Sequence, residues 1–125
     1  GSWDVVSESI QAEDLSIVIS GSGKVILHSL SANKLDVRLS GSGELDLSGE
    51  TKLLMIGISG SGKVLAGDLR TEATSIDISG SGNVDVWTEQ SLDGSVSGSG
   101  DIRYWGNPSD VNRSVTGNGR ITRKS

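Results

Sequence analysis

The segment from Gly57 to Val64, GISGSGKV, has most of the residue types of a phosphate-binding loop. Such a loop has the pattern G-x-x-x-x-G-K followed by Ser or Thr, because backbone N–H groups and the lysine bind the phosphates and the hydroxyl holds magnesium. Gly57, Gly62 and Lys63 match, but Val64 stands where the hydroxyl is needed. The loop must also lead into a helix, whereas the residues after Lys63 have the pattern of a strand. The sequence therefore predicts no nucleotide site here.

The other residues that could do chemistry are one histidine and scattered carboxylates. His28 has no Ser or Cys partner in the pattern, so we predict a surface residue and not a base. Acidic residues on the polar side of the alternating segments are typical of a solvated face, as at Asp36, Asp46, Asp77 and Asp85. The chain has no Cys, and the calcium-binding nonapeptide repeat is absent. We therefore predict no catalytic residue, no metal site and no cofactor.

Trp87 and Trp105 form the one residue pair for which the pattern predicts a binding role. They occupy the same position in adjacent repeats, on the outward parity, so two indoles should lie side by side. Such a pair offers flat apolar area to a ligand and can lie against the apolar face of a sugar. The alternative is structural, with the segment Asn107-Pro108-Ser109-Asp110 folded over the rings or with Trp105 capping the last coils.

Six copies of one short core position these residues along the chain. SGSG stands at 20–23, 40–43, 59–62, 79–82 and 97–100, and TGNG follows at 116–119. The starts of the cores lie 20, 19, 20, 18 and 19 residues apart. A fixed period of this size is typical of a solenoid, in which each unit buries its apolar face against its neighbours.

Each repeat alternates in the manner of a β-strand and not of a helix. Apolar residues or glycines occupy every second position, as in Leu35, Val37, Leu39, Gly41, Gly43, Leu45 and Leu47. Glycine on this parity predicts a sharp corner between two sheets, where the inside has no room for a side chain and the backbone needs positive φ. We therefore predict an all-β, parallel β-helix of about six coils of roughly 20 residues, with GSG corners and outward serine ladders.

Charged residues support the register of these coils. The residue after each core forms one predicted outward column, namely Lys24, Glu44, Lys63, Asn83, Asp101 and Arg120. Successive entries of a parallel column lie about 4.8 Å apart, so opposite charges should be neighbours. A second column pairs Asp85 with Arg103.

Composition limits the class of protein. The 125 residues form one small domain, and the net charge of -5 argues against a nucleic-acid surface, which needs clustered Lys and Arg. The short basic segment at 120–124 does not reverse that charge. No apolar run approaches the roughly 18 residues of a membrane span. The chain begins with Gly and not Met, which favours a processed or trimmed protein.

The six cores, together with GDIRYWGNP at 100–108 and TGNGRI at 116–121, resemble the putative autotransporter adhesin, head GIN domain family of bacterial surface proteins. The resemblance covers nearly the whole chain. It implies a right-handed β-helix with GSG turns and no enzymatic activity. It also implies an extracellular, outer-membrane-associated adhesin with host or bacterial surface glycans or proteins as partners. Residues 1–125 would then be the C-terminal part of a longer protein.

Two other functions stay open at this stage. A polysaccharide-processing β-helix enzyme would be favoured by an acid cluster over one groove, and a self-assembling filament protein by uncapped coil ends. The sequence leaves the homo-oligomeric state and the ligand undetermined.

Overall fold

The computed structural model describes residues 2–7 and 10–123, with the side chains of residue 11 and of residues 13–123. Every regular element in this part of the chain is a β-strand. The strands are β1 (Ser2–Ser7), β2 (Ile10–Gly41), β3 (Glu44–Gly60), β4 (Lys63–Gly80), β5 (Asn83–Gly98), β6 (Asp101–Trp105), β7 (Asp110–Gly117) and β8 (Arg120–Arg123).

All strand pairs are parallel, which confirms the predicted β-solenoid. The sheet order is β1-β2-β3-β4-β5-β6-β8, and β7 pairs with β5. The six glycine-serine cores lie in one line, so they enclose about five turns with a spacing of about 19 residues. The predicted repeat is therefore the structural repeat.

Every second residue points into the solenoid, and these inward columns are almost entirely aliphatic. Leu39, Ile58, Ile78 and Val96 are in register in successive coils, and each is buried. Burying such a side chain stabilises the fold by about 1.5–3 kcal/mol relative to exposure. The largest fully buried side chains are Ile19, Leu30, Leu35, Leu39, Leu45, Leu47, Leu54, Leu69, Ile76, Ile78, Leu92 and Ile102.

The two glycines of each corner divide the two roles that the alternation predicts for both. The first is at the outer side of the bend and has positive φ, as at Gly60 with φ +119°. The second is buried and faces an inward side chain of the preceding coil. A Cβ on Gly62 would collide with Leu39 Cδ2 and lie 3.1 Å from Gly43 O. The corner therefore needs glycine twice, once for backbone conformation and once for space.

The coils slip in register only in the links that return to the next corner. One such slip lies between Ala66 and Arg70, where β4 carries three residues opposite the adjacent pair Val86 and Trp87 of β5. Core spacings that vary between 18 and 20 residues are thus absorbed as β-bulges in the links. The corners and the strands beside them keep their register.

The last described coil, β7 and β8, differs from the others in its inward columns. Arg113 follows Val37, Ile56, Ile76 and Gly94, and Arg123 follows Leu47, Ala66, Val86 and Tyr104. Val115, also on the inward parity, is 40% exposed. A guanidinium group is costly to bury beneath a further apolar coil. Inward charges of this kind are a known means of protecting an exposed sheet edge.

Candidate functional site

Trp87 and Trp105 are in register in β5 and β6, as the sequence predicts. Both side chains are half-buried, so the indoles are neither fully covered nor fully exposed. The chain turns away directly after Trp105, at Gly106, where φ is +99°. The two rings therefore lie together at the end of the strands that follow the GSG corner.

Trp87 is held from both sides of its ring. The guanidinium carbon of Arg70, its register partner in β4, lies 5.8 Å from the ring centroid, within the range of a cation–π interaction. The indole Nε1 is buried and has no hydrogen-bond partner, and a Cβ on Gly106 would lie 3.2 Å from it. The polar edge of Trp87 is thus turned inward, and its accessible surface is carbon.

Trp105 extends back across two coils to Gly67. A Cβ on Gly67 would lie 3.9 Å from Cζ3 and 4.0 Å from Cε3 of the Trp105 ring. Gly67 belongs to the three-residue bulge of β4, so the missing side chain leaves a recess that the indole covers. We call Arg70, Trp87 and Trp105 the tryptophan surface.

Buried threonines anchor the backbone beneath this surface. The Thr71 hydroxyl donates to the carbonyl oxygen of Trp87 at 2.7 Å and accepts a hydrogen bond from Thr74. The Thr88 hydroxyl donates to the carbonyl oxygen of Ser91 at 2.7 Å. These bonds satisfy carbonyl groups that the irregular link leaves without ladder partners. The sequence prediction missed this network, although threonines on the inward parity could have indicated it.

A cavity of about 440 Å³ adjoins Trp87. It is lined by Trp87, Glu89, Gly106, Asn107 and Arg123. Arg123 Nη2 donates to Asn107 Oδ1 at 3.1 Å, so the amide and the guanidinium are held together. We call this space the tryptophan cavity. It places a carboxylate, an amide and a guanidinium beside an aromatic ring.

The segment after Gly106 is fixed at the edge of this cavity. Ser109 N donates to the carbonyl oxygen of Gln90 at 3.0 Å, and Asn107 is among the lining residues. Both indoles keep accessible surface despite this segment.

The phosphate-loop interpretation of Lys63 is wrong in structure, as its sequence context predicts. Lys63 begins β4, which runs to Gly80, and no helix follows it. The side chain is exposed and lies in register with Glu44 and Asn83. His28 also lies in its predicted outward column, with Nδ1 3.3 Å from Ser48 Oγ.

Both predicted charge columns have the expected register. Asp85 and Arg103 form a bidentate pair, with Nε–Oδ1 at 2.8 Å and Nη2–Oδ2 at 2.9 Å. In the column from Lys24 to Arg120, neighbours alternate as predicted, but no ion pair closes among these described residues. The register therefore follows from the core, and the exposed charges are compatible with it.

The aspartates noted in the sequence lie on outward surfaces. Asp36, Asp46 and Asp85 are half-buried, and Asp77 is exposed. Within residues 2–7 and 10–123, no group of three His, Cys, Asp or Glu residues is placed to hold a metal ion. No described helix has the length and hydropathy to cross a membrane.

A family model described as putative auto-transporter adhesin, head GIN domain, matches residues 1–108. The chain belongs to this head GIN domain family. Comparison with curated proteins gave no match.

Solved structures share the fold of this head GIN domain chain. A putative adhesin from Bacteroides fragilis is 32% identical with a TM-score of 0.92, and the match covers 97% of this chain and 56% of that one. A putative lipid binding protein from Parabacteroides distasonis is 28% identical with a TM-score of 0.92, covering 99% and 51%. A putative adhesin from the same species is 25% identical with a TM-score of 0.90, covering 98% and 56%. The chain thus spans about half the length of these structures.

Proposed function

We propose that this head GIN domain chain is a non-enzymatic binding module of a bacterial cell-surface adhesin and that its tryptophan surface binds a glycan. The observation that carries the proposal is the half-exposed pair Trp87 and Trp105 beside the polar tryptophan cavity. An aromatic face packs against the C–H face of a sugar, while a few fixed polar groups orient the hydroxyls.

The two parts of the site suit the two sides of a sugar. The accessible indole surface is carbon, because Trp87 Nε1 is buried. Glu89 can accept hydrogen bonds from hydroxyls, and the Arg123–Asn107 pair offers donors in a fixed arrangement. A glycan that lies along the indoles would thus place its hydroxyls in the tryptophan cavity.

The proposed setting is a longer protein outside the cell. The family description and the adhesin neighbours support a cell-surface location, with host or bacterial glycans as partners. We propose that residues 1–125 are one β-helix domain of that protein, because the chain spans 51–56% of the similar structures.

The test is a glycan array probed with the protein and with Trp87→Ala/Trp105→Ala. We expect binding to be lost in the double variant while urea unfolding stays cooperative. His28→Ala, in the same outward column but away from the tryptophan surface, is the matched control and should bind as the parent does. Vesicles of phosphatidylcholine serve as the lipid arm, because one similar structure is described as a lipid binding protein.

A second variant separates binding from packing. Glu89 is exposed, so Glu89→Gln should keep the fold and lower glycan affinity. Unchanged binding in both variants would show that the tryptophans are structural and that adhesion uses another surface. Vesicle binding without any glycan binding would replace the glycan with a lipid.

A further inference from the structure

A second depression lies on the sheet face that precedes the GSG corner. It measures about 710 Å³ and is formed by the outward residues of β2, β3 and β4. Arg38, Gly57 and Asp77 are register partners across its centre, and Met55 and Val18 lie beside them. The corner separates this face from the strands that end at Trp87 and Trp105, so the two sites are distinct.

Gly57 makes the depression by omission. A Cβ built there would have no atom within 4 Å, and its φ lies outside the positive range that favours glycine. Neither close packing nor backbone conformation therefore requires glycine at this position. Its effect is a gap in an outward column that is otherwise filled by side chains. We call this gap the Gly57 notch.

Opposite charges flank the notch without neutralising each other. Arg38 and Asp77 are about 9.6 Å apart along the sheet, twice the strand spacing. Arg38 has a loose contact with Asp36, 3.9 Å from Nε to Oδ1, and its side chain is 74% exposed. By contrast, Asp85 and Arg103, on adjacent strands, close to 2.8 Å. The glycine thus holds a donor and an acceptor apart on either side of an open space.

The floor of the notch is apolar. The backbone of Gly57 and the half-buried thioether of Met55 form its base, and Val18 at one side is 66% exposed. A large aliphatic side chain this exposed is one of two in the described part of the chain. Apolar floor and polar rim together are the arrangement of a small-molecule site.

We infer that the Gly57 notch binds one pyranose ring of an uncharged glycan. The ring stacks its C–H face on Gly57 and Met55, one hydroxyl accepts from the Arg38 guanidinium, and another donates to the Asp77 carboxylate. A neutral ring fits because the rim has one group of each sign, whereas an anionic or cationic sugar would face one like charge. Together with the tryptophan surface, the notch gives the chain two glycan contacts on different faces.

The experiment is a titration of the ¹⁵N-labelled protein, followed by amide chemical shifts. The probes are the methyl glycosides of glucose, galactose and mannose, with octanoate as an apolar chain for comparison. We expect saturable shifts at Arg38, Gly57 and Asp77 with at least one glycoside. Gly57→Val fills the notch in a strand that accepts a branched residue, so affinity should fall by about tenfold or more. Ser95→Val, in the same column beyond Asp77, is the matched control and should titrate as the parent does.

Each outcome decides the proposal. Shifts that persist in Gly57→Val, or no shift with any glycoside, would overturn it, and shifts with octanoate alone would assign the face to lipid. If Gly57→Val does not fold, Asp77→Ala tests the same rim and should lose the shifts. The Trp87→Ala/Trp105→Ala variant should keep them, because failure of the tryptophan surface leaves the notch intact.

Discussion

Alanine at three glycines should separate the two roles of the corner from a role in neither. Gly60 has φ +119°, and a Cβ there would lie 2.8 Å from the carbonyl oxygen of Gly41. Backbone strain costs about 1–3 kcal/mol, and overpacking against a backbone atom that cannot rotate away adds about 1–3 kcal/mol. We therefore expect Gly60→Ala to lower the free energy of unfolding by roughly 2 to 6 kcal/mol.

The matched variants are Gly62→Ala and Gly57→Ala. At Gly62 the backbone is ordinary but the Cβ meets the Leu39 side chain, so the loss should be about 1–3 kcal/mol. At Gly57 the space is open, and alanine should stabilise by about 0.4–1 kcal/mol because the unfolded chain loses freedom.

Equilibrium urea unfolding, followed by tryptophan fluorescence, measures all three variants. The order of stability should be Gly57→Ala, then Gly62→Ala, then Gly60→Ala. The same unfolding free energy for Gly60→Ala and Gly57→Ala would refute the assignment of the corner to backbone conformation. Equal losses at Gly60 and Gly62 would leave the two roles undivided.

Three further predictions concern charged residues. Lys63→Ala should change the free energy of unfolding by no more than about 1 kcal/mol and leave ATP binding undetectable by calorimetry. A double-mutant cycle on Asp85 and Arg103 should give a coupling of about 0.5–1 kcal/mol that weakens with added salt, because the guanidinium is 45% exposed. Arg113→Leu should make the protein associate in sedimentation velocity, because it adds an apolar side chain beside the exposed Val115, whereas Arg113→Lys should sediment as the parent does.

These predictions fail on distinct results. ATP binding that Lys63→Ala abolishes would restore the phosphate-loop interpretation. A salt-independent coupling would mean that the Asp85–Arg103 pair acts through packing. Unchanged sedimentation of Arg113→Leu would show that the arginine does not protect the last coil.

Much of the fold was predictable because the repeat is written at two scales. Alternation at every second residue sets which side chains face inward, and the core spacing of 18 to 20 residues sets which ones stack. Trp87 and Trp105 could therefore be paired by number alone. The Gly57 notch was also within reach of this argument, since Arg38, Gly57 and Asp77 share one column.

The neighbourhood of the tryptophans was not predictable in the same way. The contact of Trp105 with Gly67 depends on a three-residue bulge that no alternation indicates. The burial of Trp87 Nε1 depends on a rotamer that Arg70 and Gly106 select after the coils have stacked. Thr71 meets the Trp87 carbonyl only because the link is irregular there.

The sequence by itself thus determined the strand parity, the coil register and the need for glycine at each corner. Those features depend on backbone sterics and on the burial of every second residue, which are local and repeat from coil to coil. Tertiary structure alone decided which glycine of each corner needs positive φ, where the bulges fall and how the indoles lie. Those features depend on contacts between neighbouring coils, whose link lengths differ, so no single repeat contains the information.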